Sequence, residues 1–200
     1  MNPSTFQARA MVKALIKHGV ESVVIAPGSR NGALSIALAQ AQSHIDVLTR
    51  IDERTAAFTA LGIAKRTAKP VAVLCTSGTA AAHFTAAVYE AREAGVPLIL
   101  VTADRPVSVR GRGANQTIEQ VGMFSNAVID EWDLPLADSQ DELYWELAVA
   151  NAVTASLGDE YSAAGPVHLN VPFAEPLIPS DADSSWTSEI VRGELPKPHR

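Results

Sequence analysis

An open, doubly wound α/β sheet of six mostly parallel strands, with helices on both faces, is the fold this sequence predicts. Three observations lead there. Short β-branched runs alternate with helical stretches along the whole chain. Several of those runs are apolar on both faces, as in a parallel sheet covered on each side. The connections are short, and strict β/α alternation with short connections implies right-handed crossovers. Two hundred residues suit one large domain. Ala is frequent and aromatics are only 6% of the chain, which suits helices packed closely on a sheet.

Taken in order, the first element is an amphipathic helix at Thr5–Lys17, with Ser4 or Thr5 as N-cap and Gly19 closing it. Strands follow at Ser22–Ala26 and Ile45–Ile51, separated by a helix at Leu34–Gln42. Arg54–Arg66 is dense in Ala and Leu and reads as a buried helix. A strand at Val71–Thr76, a helix at Thr79–Ala94 and a strand at Leu98–Thr102 continue the alternation. Ala103 to Gly122 holds no obvious element, and loops of that length are functional or disordered. Ala127–Trp132 and Val167–Val171 are the last two strands. Between them Gln140–Leu157 reads as a helix capped by Ser139, with Leu143, Leu147, Ala150 and Leu157 as its apolar face. After Pro172 the composition turns to Pro, Ser and Asp. The expected organisation is a domain over residues 1–178 and a linker or tail, not a packed element, over 179–200. A linker after a complete domain is expected to lead into a further segment.

Composition excludes several function classes. A net charge of −6 argues against a sequence-independent grip on nucleic acid. There is no apolar run of roughly 18 residues to span a membrane, and the N-terminus lacks the pattern of a signal peptide. A cytoplasmic chain is expected. The lone Cys75 lies in the apolar run VAVLCTS and reads as a buried, inert thiol. The five His are scattered without ligand spacing, so no protein-held zinc site is expected, and His168 in VHLNV reads as a satisfied core or edge histidine. Gly111-Arg112-Gly113 starts like a dinucleotide fingerprint but has Gln116 where the third Gly belongs. No phosphate loop or nucleophile elbow is present.

Four strand ends carry polar chemistry, and a doubly wound sheet puts them all on one edge, where ligands bind. Glu53 stands where a strand gives way to a helix. It is either a first-turn acid favoured by the helix dipole or a partly desolvated carboxylate able to share a proton with a ligand. Pro27-Gly28-Ser29-Arg30 forms a tight turn ending in a hydroxyl and a guanidinium, the latter suited to carboxylate or phosphate, or simply exposed. Ser77-Gly78-Thr79 is either an N-cap or a small-residue cradle for an anion or a heterocycle edge. Asp104 and Arg105 precede the long loop containing Gln116, and either pair at the surface or serve a site. Together these groups form a polar site for a ligand with carboxylates.

The stretches APGSRN, DERTAAFTALGIAK, TSGTA, TADRP, GANQ and VPFAEPL span residues 26 to 177. With them the chain resembles the N-terminal pyrimidine-binding domain of thiamine diphosphate enzymes, a thiamine diphosphate-binding fold. Within that family it resembles the 2-succinyl-5-enolpyruvyl-6-hydroxy-3-cyclohexene-1-carboxylate synthases of menaquinone biosynthesis. The resemblance implies a transferase that decarboxylates 2-oxoglutarate and adds the product to isochorismate. It implies that Glu53 is catalytic, bonding the aminopyrimidine ring nitrogen so that the exocyclic nitrogen can take the thiazolium proton. Ser29, Arg30, Arg105 and Gln116 match substrate-pocket positions. Pro27, Gly28, Ser77, Gly78 and Thr79 match loops beside the pyrimidine. No metal ligand is implied in this chain. Mg²⁺ or Mn²⁺ and the diphosphate belong to a separate domain, bound there through a Gly-Asp-Gly motif; Gly158-Asp159-Glu160 lacks its second Gly. These 200 residues alone are therefore expected to be inactive and to self-associate, as a dimer or tetramer. Ala33 and His83 depart from the Pro and Asn usual in the family. Another thiamine-class decarboxylase or carboligase, or a stand-alone ligand-binding or dimerisation module, are the competing readings. Arg30, Arg105 and Gln116 favour the dicarboxylate chemistry.

Overall fold

The computed structural model describes residues 1–137, 141–180 and 183–196. Its elements run α1 (Pro3–Lys17), β1 (Ser22–Ile25), α2 (Gly32–Gln40), β2 (Asp46–Thr49), α3 (Glu53–Thr67), β3 (Val71–Cys75), α4 (Thr79–Ala82), α5 (Thr85–Glu93), β4 (Leu98–Asp104), β5 (Glu131–Asp133), α6 (Glu142–Leu157) and β6 (Pro166–Pro172). All six strands pair in parallel, in the order β2-β1-β3-β4-β6-β5. The strand order reverses between β1 and β3, so their carboxyl ends flank a crevice of the kind in which open α/β sheets hold ligands.

Period-two alternation along the strands sorts the core into two layers. Val23, Ile25, Ala72, Leu74, Val101 and Leu169 pack under α1, α2 and α6. Val24, Val73, Cys75 and Leu100 face the other way, toward α3 and α5. The α3 stripe is Ala56, Ala57, Ala60 and Ala64, all fully buried, so this helix lies close on the sheet. Phe58 of the same helix points outward and is 47% exposed.

Several boundaries differ from the sequence reading. Asn2, not Ser4 or Thr5, caps α1: its Oδ1 accepts from Thr5 N at 2.8 Å, and Pro3 takes the first helical position, where a missing N–H costs nothing. His18 is the C-cap, and Gly19 follows with φ +82°. The helix expected over Thr79–Ala94 breaks in two. His83 N and Phe84 N bond back to Ala80 O and Ala81 O, one residue tighter than an α-turn, and the Thr85 hydroxyl takes Ala82 O at 2.7 Å. The break drives Phe84 fully into the core. β4 runs two residues further than expected, to Asp104 opposite Pro172. The strand expected from Ala127 begins only at Glu131, because Ala127 and Val128 turn back on Phe124 O.

The largest correction is the buried face of α6. Leu143 and Leu147 are 57% and 53% exposed, while Trp145, Ala148, Val149, Ala152 and Val153 form the core stripe at helical spacing. Trp145 alone brings more apolar area than either Leu, and it sets the rotation of the helix. Asp141 caps this helix, accepting from Tyr144 N at 3.0 Å; Ser139 and Gln140 lie outside the described residues.

The segment after Pro179 was expected to be unpacked, and its described residues correct that. Trp186 is 7% exposed, with the Arg9 guanidinium over its ring and its Nε1 donating to Gln40 Oε1 at 2.8 Å. Gly193 N donates to Ile16 O, and a Cβ there would strike Lys17 O, so only Gly lets the two backbones approach. Lys13 joins Glu142 and Glu189 across the same groove. A buried Trp, a close glycine contact and polar bonds from Arg9, Lys13 and Gln40 seat this Pro/Ser/Asp-rich segment on α1 and α2.

Candidate functional site

The turn after β1 is built from within. Asn31 is fully buried; its Oδ1 accepts from Gly28 N at 2.8 Å and its Nδ2 donates to Ala26 O at 3.0 Å. Gly28 then sits so close to the β3 end that a Cβ would lie 2.5 Å from Thr76 Cβ. Arg30 N donates to Thr76 Oγ1 at 3.3 Å. The loops after β1 and β3 therefore meet across the switch-point crevice. Pro27 and Ser29 are exposed at its rim.

Beyond β3 the loop is fixed from the long segment. Gly78 takes φ +84° and ψ −149°, a conformation reserved for Gly, and a Cβ there would meet Gln116 Cγ at 2.9 Å. Gln116 Nε2 donates to Ser77 O at 3.0 Å, and Ser77 Oγ donates to Gln116 O at 3.1 Å. Arg105 Nη1 reaches both Ser77 Oγ and Gln116 O, the latter at 2.6 Å. Thr79 is exposed and begins α4.

Arg30 spans the crevice floor. Its Nη1 donates to Phe173 O at 2.9 Å and its Nη2 lies 3.5 Å from Glu175 Oε1. Its Nε is buried with no hydrogen-bond partner among the described residues. Burial, and then the charge of Arg105, pull its pKa down. The orphan Nε is a buried donor that a ligand acceptor could satisfy.

Glu53 opens α3, with Asp52 rather than Glu53 serving as the cap through Thr55 N at 2.9 Å. The capping bond holds the exposed Asp52 carboxyl below its ordinary value. Glu53 itself is half-buried and makes no hydrogen bond or ion pair with any described residue. Its charge reaches the fully buried Cys75 thiol at the end of β3, whose pKa burial pushes up and Glu53 raises further. Of the residues the sequence singled out, the structure thus joins Gly28, Arg30, Ser77, Gly78, Arg105 and Gln116 in one cluster. Glu53 stands apart from it, at the start of α3 after β2.

Of the two alternatives open for Asp104 and Arg105, the surface pairing does not form. Asp104 is fully buried; its Oδ1 accepts the Arg105 backbone N–H at 2.7 Å, and its ion-pair partner is Arg110, with Nε 2.9 Å from Oδ2. Arg110 also forks onto Asp133 at 2.8 and 3.0 Å. Burial works against its charge, but the two carboxylates outweigh that and raise its pKa. Arg110, Gln120 and Asn31 are site-building residues that the sequence reading missed. The one signal was proximity to the motifs: Asn31 ends the PGSRN turn and Gln120 lies four residues past Gln116.

His168 is the satisfied core histidine the sequence suggested. It is fully buried, with Nε2 2.7 Å from Thr102 Oγ1 and Nδ1 3.0 Å from Glu131 Oε1. The Glu131 carboxyl is opposed by burial, yet hydrogen bonds from His168 and from Gly122 N hold it below its ordinary 4.5. A depressed carboxyl adds stability that is present above pH 4.5 and lost as pH falls through the folded-state value. The expected result is a urea midpoint that drops on acidification below pH 4.5, with a shallower drop in Glu131→Gln. Parallel slopes for the two proteins would contradict it.

Residues 7–123 match the thiamine pyrophosphate enzyme family, N-terminal TPP binding domain. Over 194 residues the chain is 50% identical to the 2-succinyl-5-enolpyruvyl-6-hydroxy-3-cyclohexene-1-carboxylate synthase of Saccharopolyspora erythraea, covering 95% of this chain and 34% of that protein. The synthases of the same name from Thermobifida fusca and Renibacterium salmoninarum are 46% and 49% identical, over 93% and 86% of this chain and 33% and 30% of theirs. The chain spans about a third of the length of these relatives. With its all-parallel doubly wound sheet and this match, the chain belongs to the thiamine pyrophosphate enzyme family, as an N-terminal TPP-binding domain.

Proposed function

We propose that this domain supplies the pyrimidine half of the site in a cytoplasmic, thiamine diphosphate-dependent transferase of menaquinone biosynthesis. The reaction it serves is decarboxylation of 2-oxoglutarate and carbon–carbon bond formation with isochorismate. The observation that carries the reading is Arg30, whose buried Nε has no partner among the described residues, with the Arg105 guanidinium held by Ser77 and Gln116 on the neighbouring loop. Both substrates carry carboxylates, and guanidinium forks are suited to them. The identity shared with the named synthases supports the same reading.

The residues fit the cofactor. Gly28 and Gly78 let the loops after β1 and β3 close on Thr76 and Gln116, where a Cβ would lie 2.5 and 2.9 Å from those side chains, and so keep the polar groups of the site together. Glu53 is half-buried and has no partner in the chain, as a carboxylate reserved for a ligand nitrogen must be. Bound thiamine diphosphate supplies the electron sink that lets a 2-oxo acid lose carbon dioxide. Glu53 holds the proton at the pyrimidine ring nitrogen. Pro27, Gly28, Ser77, Gly78 and Thr79 line the ring. Ser29, Arg30, Arg105 and Gln116 orient the substrates' carboxylates. The diphosphate and its Mg²⁺ or Mn²⁺ fall to residues outside this chain. Ile51, Phe58 and Val107 stand 81%, 47% and 74% exposed near Glu53 and Arg105, which supports closure of the site by another surface and self-association as a dimer or tetramer.

The test is turnover. The full-length protein, given thiamine diphosphate, Mg²⁺, 2-oxoglutarate and isochorismate, is expected to release carbon dioxide and form the adduct, read by mass spectrometry. The 200 residues alone are expected to form none. Equal use of pyruvate and 2-oxoglutarate by the full-length protein would sink the assignment of the two arginines.

A further inference from the structure

We infer that Gln120 is a positioning residue for the cofactor: it fixes the Thr76–Thr79 loop through the Gly78 amide, and Asn170 dictates its orientation. The inference rests on the proposed function above. Gln120 is fully buried, comes from the long segment between β4 and β5, and lines no part of the open crevice. Its Oε1 accepts from Gly78 N at 2.8 Å. Its Nε2 donates to Asn170 Oδ1 at 2.9 Å and to Ala103 O at 3.3 Å.

Groups of fixed polarity settle both amide orientations. A backbone N–H only donates, so the atom facing Gly78 is Oε1. At the other end Asn170 Nδ2 lies 3.0 Å from Asp104 Oδ2 and 2.8 Å from Asp133 Oδ1, and those carboxylates accept. Asn170 must then turn Oδ1 toward Gln120, which answers with Nε2. The Thr102 hydroxyl lies 3.0 Å from the same Oδ1 and 2.7 Å from His168 Nε2. One polar chain thus runs from the fully buried Asp104 on β4, which Arg110 of the following loop joins to Asp133 at the exposed end of β5, through Asn170 on β6 to a backbone atom of the loop after β3. Gly78 at φ +84° is free to turn to other conformations, so the loop depends on the bond from its amide to Gln120 and on Gln116 packed against its other side. Methionine at 120 would fill the same volume but leave the buried Gly78 donor unsatisfied, at a cost equivalent to roughly 5- to 150-fold in binding.

Glutamate separates polarity from volume. Protonated, it offers Gly78 an acceptor and Asn170 a donor, as Gln does. Ionised, it turns acceptors toward both Asn170 Oδ1 and Ala103 O. The charged groups around it are Asp104 on β4, Asp133 on β5 and Arg110 on the loop. The experiment uses the full-length protein and two readouts. One is the thiamine diphosphate concentration giving half-maximal activity at pH 6 and pH 8. The other is amide hydrogen exchange of peptides covering Gly78 without cofactor. Gln120→Met is expected to raise half-saturation about 5- to 150-fold at both pH values and to lose Gly78 protection. Gln120→Glu is expected to stay near wild type at pH 6 and to fall away by pH 8. Unchanged half-saturation and protection in Gln120→Met would overturn the inference, as would a Gln120→Glu deficit independent of pH. Failure of the wild type to saturate with thiamine diphosphate overturns the reading of the site and takes the inference with it. The exchange readout, needing no cofactor, keeps the two failures apart.

Discussion

Glu53→Gln in the full-length protein is expected to lower kcat by about 10²- to 10⁴-fold, the range in which a positioned general acid or base acts. Glu53 caps nothing: Asp52 holds that place, bonded to Thr55. Glu53 is half-buried at the start of α3, and its charge is felt by the buried Cys75. Gln keeps the shape and a hydrogen bond but holds no proton to share. The loss should therefore fall on kcat, with the fold intact and the urea midpoint within about 0.5 kcal/mol of wild type, as for most partly exposed substitutions. A loss of only a few-fold would mean the carboxylate moves no proton.

Asp104→Ala is the second large effect, and it falls on stability. The carboxylate is fully buried and accepts from Arg105 N, Arg110 and Asn170. Its removal leaves the 10% exposed Arg110 with Asp133 alone and strands an Asn170 proton. Breaking a buried pair from one side costs about 3–5 kcal/mol. Urea unfolding should show the midpoint falling at constant m. The loop from Arg105 to Gln120 loses its anchor with it, so half-saturation by the cofactor should rise in the same variant. A stability loss below about 1 kcal/mol would show that Asp133 alone holds Arg110.

The sheet was legible because its signals are local. Apolar runs such as Val71–Cys75 and Leu98–Val101 are buried along their length, and Gly-bearing turns mark their ends. The convergence of Arg30, Ser77, Arg105 and Gln116 followed from topology: once the strands are parallel, their carboxyl ends share an edge. What failed depends on contacts distant in sequence. Whether Trp145 or Leu147 faces the core is decided by α1 and the sheet, since both faces of α6 are apolar. Trp186 anchors a segment of tail-like composition because Arg9 and Gln40 await it. Asp104 looked free to pair with its neighbour Arg105, yet β6 brought Asn170 and the long loop brought Arg110. Gln120 carried no motif of its own, and only the buried network reveals its place.

The central claim is that Glu53 switches on the cofactor's proton removal. Its most direct measurement is the rate of hydrogen–deuterium exchange at the thiazolium C2 of thiamine diphosphate bound to the full-length protein, followed by quenched NMR. The expected result is rapid exchange in the wild type and a fall toward the free-cofactor rate in Glu53→Gln. Equal rates in the two proteins would contradict the account.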